Sequence, residues 1–237
     1  RKWTMWKAWV RFLSMEVLAD FDPKKIMKPN GEPFDLQKDQ AMVVVSPHGI
    51  FPFSLAFACL PDFCVQAFGR FRPVVASATN YFPFVRTFLS WLSAVDASRR
   101  SIHRAIDDGA RIGICPGGIA EMFESYPKPM THPDDEFTIL RRGFIRIAIQ
   151  HKLPLVPVYC FGATKMLKRL ELPSFFERLS RILRFSICLF FGPLGLPIPF
   201  QQRLSYVVGK PIFPSNFEDP LDDQVEELYK KFCSEMV

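Results

Sequence analysis

The chain has 237 residues, 49% hydrophobic and 23% charged, which excludes a disordered chain and leaves room for one domain with a sizeable core. Its net charge of +6 is unevenly placed: residues 215–237 hold seven acidic and two basic side chains, whereas residues 1–214 hold 28 basic and 17 acidic ones, a net +11. A basic body points to phosphate-bearing partners such as an anionic membrane face or coenzyme A, and the absence of any zinc-finger or RNP pattern argues against nucleic acid.

The high counts of 25 Phe and 21 Pro suit a greasy binding surface or a lipid-handling core, with a well-packed soluble core as the alternative. The six cysteines, at 59, 64, 115, 160, 188 and 233, show no C-x-x-C and no His at ligand spacing. They read as reduced thiols facing the cytosol, with neither a zinc site nor a disulfide framework. The chain begins with Arg1, so an upstream segment is expected, and any membrane span would lie there.

Residues 2–18 predict an amphipathic helix with Trp3, Trp6, Val10, Leu13 and Val17 on one arc, suited either to a membrane interface or to docking on the core. From residue 41 strands alternate with helices: strand 41–46, helix 51–60, strand 72–78, helix 84–92, helix 98–109 between Ser98 and Gly109, and strand 111–115. Helix 141–152, strands 155–162 and 204–209, and helix 222–236 follow. The pattern predicts an α/β fold, a single domain with a central, mostly parallel sheet flanked by helices, preceded by an amphipathic lead-in over residues 1–40. Residues 185–202, FSICLFFGPLGLPIPFQQ, carry no charge. Three prolines argue against a straight transmembrane helix, so the segment reads as a membrane-dipping loop or a hydrophobic substrate wall beside a basic shoulder, over an internal strand and loop.

Ligands of open α/β sheets gather outside the carboxyl ends of the strands. Two motifs stand there: Ser46-Pro47-His48-Gly49 after strand 41–45, and Pro116-Gly117-Gly118 followed by Glu121 after strand 111–115. An imidazole held between Pro and Gly at a strand end can act as a general base near neutral pH. The main-chain N–H groups of Gly117 and Gly118 can hold an oxyanion, and Glu121 can orient the His48 ring. A histidine with no role and a plain glycine turn are the bland alternatives.

SPHGIF, LSWLSAVDASRRS, IGICPGGIAEMF, LRRGFIRIAIQHKLPLVPVYCFGA and LSYVVGKPI, in that order, resemble the type-2 diacylglycerol acyltransferase family, which includes monoacylglycerol and wax-alcohol acyltransferases. The likeness spans about residues 1–235. It implies a membrane-bound enzyme with a glycerolipid-acyltransferase-like fold that moves a fatty acyl group from acyl-CoA, as co-substrate, to a neutral lipid hydroxyl, diacylglycerol foremost. No metal or other cofactor is needed. The endoplasmic reticulum membrane or a lipid droplet, at the cytosolic face, is the implied location.

The family's His-Pro-His-Gly motif reads Ser46-Pro47-His48-Gly49 here, so its second His maps to His48, the general base, and Ser46 replaces the first. Related glycerophospholipid enzymes use His-x4-Asp, but the residue five after His48 is Phe53, which makes Glu121 the expected charge partner. Ser46, Gly49, Gly117 and Gly118 are the expected oxyanion or substrate contacts. The family's basic block maps to Arg141, Arg142 and Arg146, with Arg99 and Asn80 in further family-like segments; the four arginines are candidates for the phosphates of acyl-CoA. Alternatives are a lysophospholipid acyltransferase, an inert lipid-binding protein, and a serine hydrolase built on Ser46, which lacks the G-x-S-x-G context.

Overall fold

The run Met42-Val43-Val44-Val45-Ser46 sets the architecture, because five consecutive buried residues fit only a strand covered on both faces. In the computed structural model, which describes residues 4–81, 83–124, 136–170, 172–183, 189–196, 198–214 and 222–236, this run is β2 of a seven-stranded sheet. In chain order the elements are α1 (Thr4–Phe12), β1 (Glu16–Ala19), β2 (Met42–Ser46), α2 (Phe53–Ala58), α3 (Asp62–Phe68), β3 (Arg72–Val75), α4 (Pro83–Trp91), β4 (Val95–Asp96), α5 (Arg99–Asp107) and β5 (Ile112–Ile114). They continue with α6 (Gly118–Glu124), α7 (Gly143–Gln150), β6 (Leu155–Phe161), β7 (Lys168–Arg169), α8 (Ser174–Leu183), β8 (Phe190–Phe191), β9 (Ser205–Val208) and α9 (Asp222–Glu235).

The sheet order is β1-β9-β6-β2-β5-β3-β4. Neighbours pair in parallel except β6 with β9, so the expected mostly parallel α/β architecture is what the chain adopts. Side-chain alternation divides the core. Val43 and Val45 face a cluster with Leu55, Phe57, Phe68 and Tyr206; Met42 and Val44 face Ile102, Ile106, Ile145, Ile149 and Phe232. Thus α2 and α3 cover one face while α5, α7 and α9 cover the other. Pro157 can sit inside β6 because the ladder to β9 begins at Val158, where Pro157 needs only its carbonyl, which accepts from Gly209 N at 2.9 Å.

Several elements differ from the sequence expectation. The helix expected over 2–18 ends at Phe12, and residues 16–19 are instead an edge strand parallel to β9. Glu-Val-Leu-Ala carries no strand alternation of its own, with Glu16 and Val17 half-buried and Leu18 and Ala19 exposed, and only the partner strand β9 reveals the strand. Leu13 is fully buried and the Trp9 ring lies 5.8 Å from that of Phe57, so this part of the segment docks on the core; Trp3 and the side chain of Trp6 lie outside the described residues. The helix expected over 51–60 is the shorter α2, Phe53–Ala58, and after Pro61 comes a second helix, α3, that the sequence reading did not expect. The strand expected over 72–78 stops at Val75 and passes into a 3-10 turn. Ser98 and Gly109 do bracket α5, with Gly109 at φ +79.

None of the described residues of the uncharged stretch 185–202 enters the main sheet. Of its described residues, Phe190 and Phe191 pair antiparallel with β7 in an outlying ribbon, and a turn at Pro193–Gly195 leaves Leu194 96% exposed. Among the described residues no helix is long and apolar enough to cross a membrane.

Candidate active site

At the carboxyl end of β2 the chain turns sharply through Pro47, His48 and Gly49. Gly49 has φ +66, and a Cβ there would stand 2.9 Å from the Ala163 carbonyl oxygen, so both conformation and space demand glycine. The turn is held from three sides. The Ser54 hydroxyl of α2 donates to Pro47 O at 3.0 Å, and the Tyr206 hydroxyl of β9 donates to Ser54 O at 2.8 Å. The third hold is the main-chain N–H of His48, which donates to Glu121 Oε1 at 2.9 Å.

The His48 ring has its own anchor: Nδ1 lies 2.9 Å from Gly49 O. A carbonyl can only accept, so the neutral ring carries its proton on Nδ1 and keeps the lone pair on Nε2. Burial pushes the His48 pKa below its ordinary value, with the Gly49 carbonyl opposing the shift. The ring is therefore neutral and able to accept a proton at Nε2 near pH 7. Ser46, in place of the family's first His, is fully buried, and its Oγ has no hydrogen-bond partner among the described residues.

Glu121 is fully buried on the first turn of α6. The expectation that its carboxylate orients the imidazole is corrected: it grips the main chain of His48, and the ring is oriented by Gly49 O. Desolvation raises the Glu121 pKa to about 7, against the opposing pull of the His48 N–H, Thr138 and the Ile139 N–H. Gly117 is needed for close approach, since a Cβ on it would overlap Glu121 Oε2. Gly118 has φ +54, and a Cβ there would meet nothing within 4 Å. The two motifs at the ends of β2 and β5, 73 residues apart between His48 and Glu121, thus form one unit.

The four arginines divide. Arg142 is paired with Glu226 at 2.6 Å and lies over the Tyr229 ring at 5.0 Å, and Arg146 is paired with Asp222 at 2.5 Å. Both are paired with acidic residues of α9, whose acidic face the sequence reading did not connect to them. Arg99 is exposed at the start of α5, beside β4; β4 is three strands from β2 in the sheet order, roughly 15 Å at the usual strand spacing. Arg141 remains near the second motif, lining an apolar cleft with Cys115 and Pro116. The side chain of Asn80 lies outside the described residues.

The sequence reading missed several residues that hold the site. Ser54 is a buried polar residue inside the apolar run FPFSLAFA, and that contrast is a usable signal. Glu136 gave no signal, yet its Oε1 accepts from Gly162 N at 2.9 Å and from the Thr164 hydroxyl at 2.8 Å, bracing the segment whose Ala163 carbonyl packs on Gly49. Burial raises the Glu136 pKa, with Thr164 opposing.

The fold that brings His48 and Glu121 together, a mostly parallel central sheet flanked by helices, is that of a solved glycerolipid acyltransferase. The solved 1-acyl-sn-glycerophosphate acyltransferase PlsC of Thermotoga maritima shares that fold with a TM-score of 0.51 at 15% identity, over 98% of this chain and 77% of the other. The diacylglycerol acyltransferase family model matches residues 1–237, and the chain belongs to that family. It is 29% identical to human acyl-CoA wax alcohol acyltransferase 1, over 94% of this chain and 71% of the relative. It is 25% identical to bovine 2-acylglycerol O-acyltransferase 1, over 100% and 71%, and 27% identical to zebrafish diacylglycerol O-acyltransferase 2, over 98% and 65%. The protein is an O-acyltransferase of this family.

Proposed function

We propose that the protein moves a fatty acyl group from acyl-CoA to the hydroxyl of a neutral lipid, diacylglycerol foremost, with His48 as the general base. The observation that carries this reading is the hydrogen bond from Nδ1 to Gly49 O, which leaves Nε2 as the ring's acceptor. Nε2 takes the proton of the lipid hydroxyl as its oxygen attacks the thioester carbonyl. When the tetrahedral intermediate collapses, the C–S bond breaks and the imidazolium returns the proton to the departing thiolate of coenzyme A. Main-chain N–H groups of the Gly49 and Gly117–Gly118 turns, with the Ser46 hydroxyl, are the proposed contacts to the oxyanion or the acceptor. Glu121 acts through the main chain, keeping the base where the two substrates meet.

The enzyme is further proposed to work at a membrane surface, on the cytosolic face of the endoplasmic reticulum or on a lipid droplet. Leu170, Phe175, Ile182, Leu189, Leu194 and Ile198 are all exposed around α8 and the β7–β8 ribbon, with Lys168 and Arg178 exposed beside them. Apolar side chains rimmed by cations are the composition of an interfacial surface.

The test is transfer from labelled acyl-CoA by the purified protein in detergent, with diacylglycerol, 2-acylglycerol, a long-chain alcohol and a lysophospholipid competing as acceptors. General-base assistance is worth about 10²–10⁴ in rate, so His48→Ala is expected to lose nearly all transfer while still binding acyl-CoA. Full activity in that variant, or a preference for the phosphorylated acceptor, would overturn the reading.

A further inference from the structure

We infer that the cavity at the amino edge of β3 and β5, at the opposite end of the sheet from His48, binds a phosphomonoester lipid, with Arg70 and Arg72 on the phosphate and the aromatic side chains of α4 against its apolar part. Arg72 opens β3 and Arg111 leads into β5. Both line a cavity of about 440 Å³, within the roughly 300–1,000 Å³ of whole-ligand sites. Because β2 runs parallel to β5 with Met42 level with Ile112, His48 beyond the far end of β2 stands roughly 20 Å from that level at the usual strand rise.

Local chemistry shapes this cavity. Gly113 of β5 lets the Phe71 ring lie against the sheet, because a Cβ there would overlap that ring. At the end of α4, Ser93 takes the left-handed conformation, φ +54, and its carbonyl accepts from Arg72 Nε at 2.8 Å. That bond fixes the guanidinium and leaves its two Nη groups as a fork for an oxyanion. Arg70 is exposed, with no hydrogen bond or ion pair among the described residues. Arg111, only 8% exposed, closes the inner wall: its Nη groups donate to the carbonyls of Leu36, Asp39 and Phe68, while its Nε has no partner among the described residues.

Charge and surface choose the occupant. Three arginines against one aspartate, Asp62, leave the lining at a net +2. A phosphomonoester, with a charge of roughly −1.5 to −2 at neutral pH, neutralises it, whereas a fatty carboxylate does so only in part. Phe71, Phe88 and Leu92 form the rest of the wall together with Trp91, which is 54% exposed and carries the apolar surface outward. Such a wall adds nothing for a free phosphate ion and stabilises an apolar body attached to one.

Calorimetry on the detergent-purified protein tests the assignment with dihexanoyl phosphatidate, which has no hydroxyl to accept an acyl group, against glycerophosphate, inorganic phosphate and octanoate. The phosphatidate is expected to bind at least about tenfold more tightly than each of the others, and Arg70→Gln and Arg72→Gln are each expected to weaken it by on the order of tenfold. Trp91→Ala should narrow its advantage over glycerophosphate. His48→Ala should bind it as the wild type does, so the cavity is tested apart from the proposed reaction. Arg70 is exposed, so its variant keeps the fold even where Arg72→Gln, which gives up the bond to Ser93 O, shows a lowered melting curve. Glycerophosphate binding as tightly as the phosphatidate overturns the lipid as occupant, and octanoate doing so overturns the phosphate. No binding by the folded wild type, or unchanged affinity in folded Arg70→Gln, overturns the cavity.

Discussion

Glu121 Oε1 accepts a hydrogen bond from the main-chain N–H of His48 at 2.9 Å, while the His48 ring turns to its own neighbour, with Nδ1 2.9 Å from Gly49 O. The imidazole and the carboxyl are therefore coupled through the backbone. The carboxyl fixes where the imidazole is, and the Gly49 carbonyl fixes which nitrogen is free.

The first consequence concerns pH and rate. Burial depresses the His48 pKa from its ordinary 6.5, so the neutral, active ring persists into mildly acidic solution. The acid limb of kcat/KM for acyl-CoA is expected below that value. A limb well above it, read from a pH–rate profile, would mean that the ring is held as the imidazolium, in conflict with a carboxyl that faces the main chain.

Stability should carry the signature of Glu121. Its folded-state pKa of about 7 lies above the ordinary 4.5, so between those values the native state binds a proton that the unfolded chain has released. Stability from this group therefore falls as pH rises through the window, by about 3 kcal/mol across it. The depressed His48 pKa acts in the opposite sense below 6.5 and is common to both proteins in the comparison. Urea unfolding at about pH 5 and about pH 8 should show that Glu121→Gln, which keeps an acceptor for the His48 N–H, loses less stability with rising pH than the wild type. Equal losses in the two proteins would contradict the raised pKa.

Gly117→Ala should separate the role of Glu121 from mere folding. The new Cβ overlaps Oε2, so the carboxyl must move and release His48. Overpacking of this kind costs about 1–3 kcal/mol, and transfer should fall much further than that stability loss explains. Gly118→Ala, strained by φ +54 but with open space around its Cβ, should cost about 1 kcal/mol or slightly more and retain more activity. Activity measured at matched fraction folded makes the comparison; equal activity in the two variants would remove Glu121 from the mechanism.

Ser46→Ala should be nearly neutral for folding, or slightly stabilising, because it removes a buried hydroxyl with no partner among the described residues. A fall in transfer without a fall in melting temperature would assign the hydroxyl to substrate. Unchanged transfer would make Ser46 a packing residue only.

Arg142→Gln and Arg146→Gln should loosen α9 slightly, by about 0–1 kcal/mol for each exposed pair, and leave KM for acyl-CoA unchanged. The pairs with Glu226 and Asp222 already occupy these guanidinium groups. A raised KM in either variant, measured beside its melting curve, would return that arginine to the donor site.

Much of this protein is determined by its sequence alone. The β-branched run of β2, the Ser98 and Gly109 brackets of α5, and the two motifs at strand ends are local matters: backbone preference, side-chain period and the special freedom of glycine decide them wherever the segment lies. They identified the parallel α/β layout and placed His48 and the Gly117–Gly118 turn on one sheet edge. Tertiary structure alone decided the partners. Whether residues 16–19 extend a helix or form an edge strand depends on β9, and whether Arg146 is free for phosphate depends on an aspartate 76 residues away. The pairing of Glu121 with the backbone of His48, and the bracing of the Pro47–Gly49 turn by Ser54 and Glu136, likewise depend on contacts across the fold. Local sequence sets which groups each segment can offer; hydrogen bonds and ion pairs are chosen in space, after the strands have been brought side by side.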